Sequence, residues 1–299
     1  MAPPDHRSVL AALPAETRVA LTARSDLAGL GQGAFHLLVV SAMGVWIALG
    51  LPLWWALIWP QGVALAFLFT AQHEATHRTP FARPWLNDAM GHAAGLVLFQ
   101  PFLWFRAFHM AHHKFTGDPD RDPELATPRP RTRAELAWTL LGIGYWTMKA
   151  QVLWRNASGR NVDTYVPPGQ RPRIAVEARL YLSIYAALAL MVLTPGVGTV
   201  LLWTWLIPLA TGFPVLRLYL LAEHDDCPNV PNMFENTRTT FTDRLTRRLA
   251  WNMPYHAEHH AWPAVPFHRL PAFHDLARAH LQVTSPSYRA FTKDYLRSL

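Results

Sequence analysis

Two long stretches of this chain carry no positive charge. No lysine or arginine occurs between Arg24 and Arg78, and none between Arg179 and Arg217. A helix needs about 20 consecutive apolar residues to cross a bilayer, so each gap has room for most or all of two spans. The first gap reads as spans 33–50 and 53–72, turning at Leu51-Pro52. The second pair reads as 176–194 and 197–222, turning at Pro195-Gly196. A buried helix pair in a soluble protein is the competing reading, but two such stretches in one chain argue against it. The composition agrees, with 51% hydrophobic residues, 13 tryptophans and only 16% charged residues. Both turns lack charge while the rest of the chain is rich in arginine. The positive-inside rule therefore puts the turns outside and both termini in the cytoplasm. Trp54, Trp55 and Trp59 near the first turn, with Trp203 and Trp205 near the second, fit an interfacial aromatic belt.

The net charge of +7 suits a face lying against anionic lipid, and it would also attract an acidic electron carrier. No zinc-finger, RNP or helix-turn-helix pattern accompanies it, so nucleic acid is not an expected partner. Cys227 is the only cysteine, which excludes an intrachain disulfide and a four-cysteine metal site. The N-terminus, with Pro3, Pro4, Asp5 and Arg7, lacks the apolar core of a signal peptide, so the first span is expected to direct insertion. Residues 1–32 read as a cytoplasmic lead-in with an amphipathic helix over 15–27. Residues 85–108, apolar but broken by Gly91, Gly95, Pro101 and Arg106, read as an in-plane or re-entrant element. Segment 118–133 carries four prolines and reads as an extended loop. Segment 134–154 is expected to lie along the interface, 155–173 to be a polar loop, and 223–299 to form a cytoplasmic cap. The whole chain, 1–299, reads as one domain.

Most of the imidazole is gathered in a few places. His73 and His77 stand in HEATH, His109, His112 and His113 in HMAHH, and His256, His259 and His260 in HAEHH; His224 stands alone in LAEHDD. Spacing of i, i+3 and i+4 puts side chains on one helix face, a turn apart. Neutral imidazole suits iron, zinc, copper or nickel, and one tetrahedral ion takes at most four ligands. Eight or nine converging histidines therefore point to a dinuclear site. His73 and His77 follow the second span and His224 follows the fourth, so those helices would extend past the bilayer and present histidine at their cytoplasmic tips. His92 reads as structural, and His268, His274 and His280 as ordinary polar residues.

HEATH also fits the zinc-protease pattern H-E-x-x-H, with Glu74 as general base, but that reading leaves HMAHH and HAEHH without a role. A non-enzymatic histidine-rich metal carrier or haem-binding membrane protein is a further class. Transport sites lie near the bilayer midplane, whereas these spans hold histidine only at His36, near a terminus.

The chain resembles the membrane-bound fatty acid desaturase superfamily, with HEATH (73–77), HMAHH (109–113) and HAEHH (256–260) as its three histidine boxes. The flanking HHKFTGDPDRDPE and NMPYHAEHHAWPAVPFHRLP are similar to bacterial members, and the resemblance covers residues 35–275. It implies an all-α integral membrane fold: four transmembrane helices in two hairpins, with a cytoplasmic helical cap. The cap would carry a histidine cage for two non-haem iron ions, held by His73, His77, His109, His112, His113, His224, His256, His259 and His260. His224 matches an extra histidine that many members carry before the third box. It also implies O2-dependent oxidation of a long acyl or isoprenoid chain in a bacterial inner membrane, with the active site cytoplasmic. Two features depart from the animal acyl-CoA desaturases. The first box is H-x3-H rather than H-x4-H, and Leu220 stands where some relatives place a water-mediated asparagine ligand.

Chemistry supports the same reading. Oxidising an unactivated C–H bond calls for a redox metal, and zinc is not one. Glu74, Asp225 and Glu258 are candidates to orient imidazoles through the second ring nitrogen. Arg238, in FENTRTT, is a candidate for a lipid head group or carboxylate. Trp104, Phe105, Phe108, Trp146 and Trp154 are candidate walls for an apolar substrate tunnel. The chain holds no cytochrome b5 motif, flavin fingerprint or cysteine cluster, so a ferredoxin- or cytochrome b5-like donor must supply electrons. Fatty acyl desaturation is the first expectation. Hydroxylation, ketolation and decarboxylation to a terminal alkene use the same oxidant and stay open.

Overall fold

The computed structural model describes residues 5–299, which are mostly helical. Short helices α1 (His6–Ala12) and α2 (Ala15–Leu21) precede α3 (Asp26–Ala48). Ser25 starts α3 by accepting a hydrogen bond from the Ala28 N–H, and Asp26 sits at the positive end of the helix. The helix therefore begins well before the expected residue 33, because the cap rather than the apolar run sets its start. A 3-10 turn, Trp54–Leu57, leads into α4 (Ile58–Ala66) and α5 (Leu68–His77). The segment expected to lie in-plane forms two helices, α6 (Pro84–Val97) and α7 (Phe102–Phe115). Next come α8 (Arg133–Leu141) and α9 (Ile143–Ala157), separated at Gly142, whose φ of +72° ends one helix and starts the next.

The second half opens with α10 (Arg171–Met191). Then α11 (Val197–Leu201), a π-helical turn at Leu202–Leu206 and α12 (Ile207–His224) run on as one long helix. The tail holds α13 (Met233–Asn236), α14 (Arg244–Leu249), α15 (His256–Ala261), α16 (Leu270–Ala277) and α17 (Tyr288–Ser298). Strands β1 (Thr239–Thr240) and β2 (Thr284–Ser285) pair in parallel across it.

Four helices are long and apolar enough to cross a membrane: Ala15–Ala48, Trp54–His77, Pro168–Met191 and Val197–His224. The second and fourth run past the expected ends at 72 and 222, so His73, His77 and His224 belong to the same helices as the apolar runs. The outer faces of the four carry exposed Leu37, Leu38, Trp59, Val176, Leu180, Leu202 and Leu206, a pattern suited to lipid rather than water.

The crossing of α4 and α12 positions the rest. A Cβ built at Gly62 would stand 1.8 Å from the Pro208 carbonyl oxygen, and one at Gly212 would stand 2.0 Å from the Gly62 carbonyl carbon. The two backbones touch, as small residues permit between helices that pack without a hydrophobic driving force. Elsewhere α5 packs on α6 and α7, joined by Gln72, whose Nε2 donates to the Gln100 carbonyl at 2.8 Å. Tail residues Trp251, Met253, Phe234, Leu270 and Phe273 pack in one continuous core with Leu65, Phe67, Leu209 and Tyr219 of the long helices. His36 also joins the tail to the long helices: Trp251 Nε1 donates to His36 Nδ1 at 3.2 Å, and His36 Nε2 meets the Ala64 carbonyl at 2.8 Å. A buried polar group is thereby satisfied at both nitrogens.

Candidate metal centre

Helices α5, α7, α12 and α15 bring nine imidazoles to one place. His73, His77, His109, His113 and His259 each offer a nitrogen such that all five lie within 4.8 Å of one another; His112, His224 and His260 do the same. His256 joins the second group through Nε2, 3.2 Å from His224 Nε2. Other approaches are as close: His77 Nε2 to His109 Nε2 is 2.8 Å, and His112 Nε2 to His224 Nε2 is 3.3 Å. A metal–imidazole bond of about 2.1 Å puts adjacent ligand nitrogens of one ion about 3 Å apart, which matches these separations. The two groups adjoin where His113 stacks on His260, with ring centroids 4.0 Å apart.

Five of the donors are in the right state for a metal. Burial first, and mutual repulsion second, push His109, His113, His256, His259 and His260 well below the usual histidine range, so they are neutral with free lone pairs. Burial disfavours charge on His112 as well, yet the carboxylates of Glu124 and Asp122 raise it above its usual value. Several buried ring nitrogens have no hydrogen-bond partner, namely His73 Nε2, His260 Nε2 and both nitrogens of His113 and His259. Buried polar atoms are otherwise nearly always paired, and a metal ion is the partner that an all-imidazole set fits.

Of the carboxylates that face the cage, only Glu74 was among the expected ones. His112 Nδ1 meets Asp122 Oδ1 at 2.9 Å, and Glu124 Oε2 stands 3.2 Å from His112 Nε2. Glu223 lies 3.5 Å from His256 Nδ1, and the Asn236 carbonyl 3.4 Å from His224 Nδ1. Of the expected three, Glu74 comes closest, 3.7 Å from His259 Nδ1, but it accepts its hydrogen bonds from Thr79 Oγ1 and the Phe267 N–H. Glu258 turns away from the cage to Thr239 and His274, so His274 is a partly buried partner of a carboxylate rather than an ordinary polar residue. Asp225 meets no imidazole and lies 3.7 Å from Arg131. Arg238 is also corrected: its guanidinium donates to the carbonyls of Ala222 and Asp225 and packs on Phe291, tying the tail to the end of α12. His92 bonds Glu177, whose carboxylate also accepts the Leu103 N–H at the start of α7.

A cavity of about 1190 Å³ ends on the cage, where His73, His109, His112 and His256 form part of its wall. Phe69, Trp104, Phe105 and Phe108 line its apolar side. Trp146 and Trp154, also expected there, do not: Trp146 packs on Phe213, and Trp154 is exposed. Glu74 is fully buried outside the cavity, away from where a protease base would meet water and substrate.

Fold and site together define a membrane-spanning chain built around histidine clusters that can bind metal. A family model for fatty acid desaturases matches residues 45–292, and the chain belongs to that family. Among curated relatives, dihydrorhizobitoxine desaturase of Bradyrhizobium elkanii is 27% identical over 237 residues, covering 72% of this chain and 65% of the relative. The sn-1 oleoyl-lipid 12-desaturase of a Picosynechococcus strain is 25% identical over 261 residues, covering 78% and 72%. An sn-1 acyl-lipid omega-3 desaturase (ferredoxin) of Nostoc is 33% identical over 84 residues, covering 28% of this chain and 22% of the relative. The chain thus spans 65% of the length of the first of these relatives.

Proposed function

We propose that this protein is an O2-dependent membrane oxidase that desaturates a long acyl chain. His73, His77, His109, His113 and His259 would hold one iron ion, and His112, His224, His256 and His260 a second. The observation that carries the reading is the meeting of two all-histidine groups at the end of a large aromatic-walled cavity. Iron with O2 supplies the oxidising power that an unactivated methylene demands. The residues of the chain supply position and seclusion. Phe69, Phe105 and Phe108 hold an apolar chain beside His73 and His109, Asp122 fixes the ring of His112, and the dry wall limits escape of reactive oxygen. Each turnover takes O2, two electrons and two protons, removes two hydrogens from the chain and releases two waters. Electrons come from a ferredoxin- or cytochrome b5-like donor, drawn to the basic face that the positive-inside rule places in the cytoplasm.

The reading is tested by co-expressing the protein with a reductase and ferredoxin in a bacterial host, followed by mass spectrometry of lipids and volatiles. Acyl chains lighter by two hydrogens are expected. Chains heavier by one oxygen would replace desaturation with hydroxylation, and a volatile alkene one carbon shorter than its parent acid would replace it with decarboxylation.

A further inference from the structure

Two cations inside the cavity form no salt bridge among the described residues. Lys149, on α9, is 5% exposed, and Arg217, on α12, lies two turns before His224. They flank the ring of Tyr145, with Lys149 Nζ 5.0 Å and Arg217 Cζ 5.7 Å from its centroid. Trp104 and Phe213 cover the other sides, at 4.9 Å from Lys149 Nζ and 6.0 Å from Arg217 Cζ. Both side chains line the same cavity as the cage histidines. Of the inner acids of this cavity, Asp122 faces His112, Glu223 stands beside His256 and Asp163 pairs with Arg155, while Glu124 faces His112 and reaches Arg217 only through space, without an ion pair. Arg217 Nε is buried without a hydrogen-bond partner. Burial, with Arg217 next to it, lowers the Lys149 ammonium to about 7.

Aromatic faces soften this burial but supply no negative charge, and Lys149 stays near its charged–neutral midpoint at neutral pH unless an anion joins it. An ionisable residue near a membrane span, facing a cavity, calls for a partner. An ester or thioester head is neutral and would leave both cations uncompensated. A carboxylate offers two oxygens that accept from an ammonium and a guanidinium at once.

We propose that Lys149 and Arg217 form an anion pocket that holds the free carboxylate of an unesterified long-chain acid, so that the substrate is the acid itself rather than an acyl group esterified to a membrane lipid. The proposal rests on the oxidase reading above and names its substrate class. The Phe105 ring adjoins both anchor and cage: Lys149 Nζ is 6.0 Å from its centroid, and His109 stacks on it at 5.7 Å.

The test measures binding rather than turnover, using full-length iron-loaded protein in phosphatidylcholine nanodiscs. Radiolabelled palmitate is displaced in turn by palmitate, methyl palmitate and phosphatidate. Palmitate should bind roughly tenfold or more tightly than its methyl ester. Lys149→Met and Arg217→Met should each weaken palmitate by a similar factor while leaving methyl palmitate affinity and iron content unchanged. Equal affinity of the unaltered protein for acid and ester would overturn the proposal, and that comparison needs no variant to fold. So would variants that keep the acid preference, or phosphatidate displacing palmitate more effectively than palmitate itself. The two readings fail separately. Acid-selective binding without any oxidation product rejects the oxidase and keeps the pocket, whereas oxidation of lipid-bound chains without acid selectivity does the reverse.

Discussion

Replacing His77 or His260 with alanine should lower turnover at least a hundredfold, with the protein still inserted in the membrane. Changing an outer partner of a ligating histidine typically costs about 10–100-fold in affinity or activity, and removing the ligand itself costs more. The two residues belong to different groups, so His77→Ala should lose metal from the five-histidine group and His260→Ala from the other. Insertion depends on the apolar stretches of the four long helices, and His77 lies at the very end of one while His260 lies outside all four. His268, which belongs to neither group, should tolerate alanine with turnover unchanged. Metal content and turnover of the three variants, measured on membranes with equal protein, check this. Substantial turnover in His77→Ala or His260→Ala would make those histidines structural.

Gly62→Val should be nearly as damaging, through packing rather than ligation. The added branch would lie within bonding distance of the Pro208 backbone, so α4 and α12 must move apart. Overpacking costs about 1–3 kcal/mol where side chains can yield, and here the obstacle is backbone. Because α5 follows α4 directly and carries His73 and His77, while α12 ends in His224, parting the helices also draws ligands away from both groups. Thermal unfolding should shift down by several degrees, with metal lost in parallel. A variant with unchanged melting and full metal would show that the crossing does not position the site.

The long-range plan was legible because it rests on local signals. Arginine-free gaps marked the long helices, and i/i+3/i+4 spacing marked the clusters. His224 was found only because it follows the fourth span as His73 follows the second. Glu74 meets an imidazole on another helix, His259, whereas Glu258 points away for a geometric reason: it is next to His259 in the chain, and neighbours at that spacing point to different sides of a helix. Glu258 therefore reaches His274 on α16 instead. The acids beside the cage, Asp122 and Glu124, sit in the proline-rich segment after HMAHH, where no periodicity predicts direction, although the segment had been singled out as HHKFTGDPDRDPE. Arg238 looked free to bind a head group because its backbone-carbonyl partners on α12 leave no trace in its own neighbourhood. Gly62 and Gly212 are 150 positions apart in the chain, and their contact becomes visible only in the folded helices.

The account turns on two metal ions of iron bound by these nine histidines. Elemental analysis of active protein from iron-replete cells tests it most directly. About two iron ions per chain are expected, falling to the background of a variant lacking both His77 and His260. One iron per chain, or zinc in place of iron in protein that turns over at full rate, would contradict it.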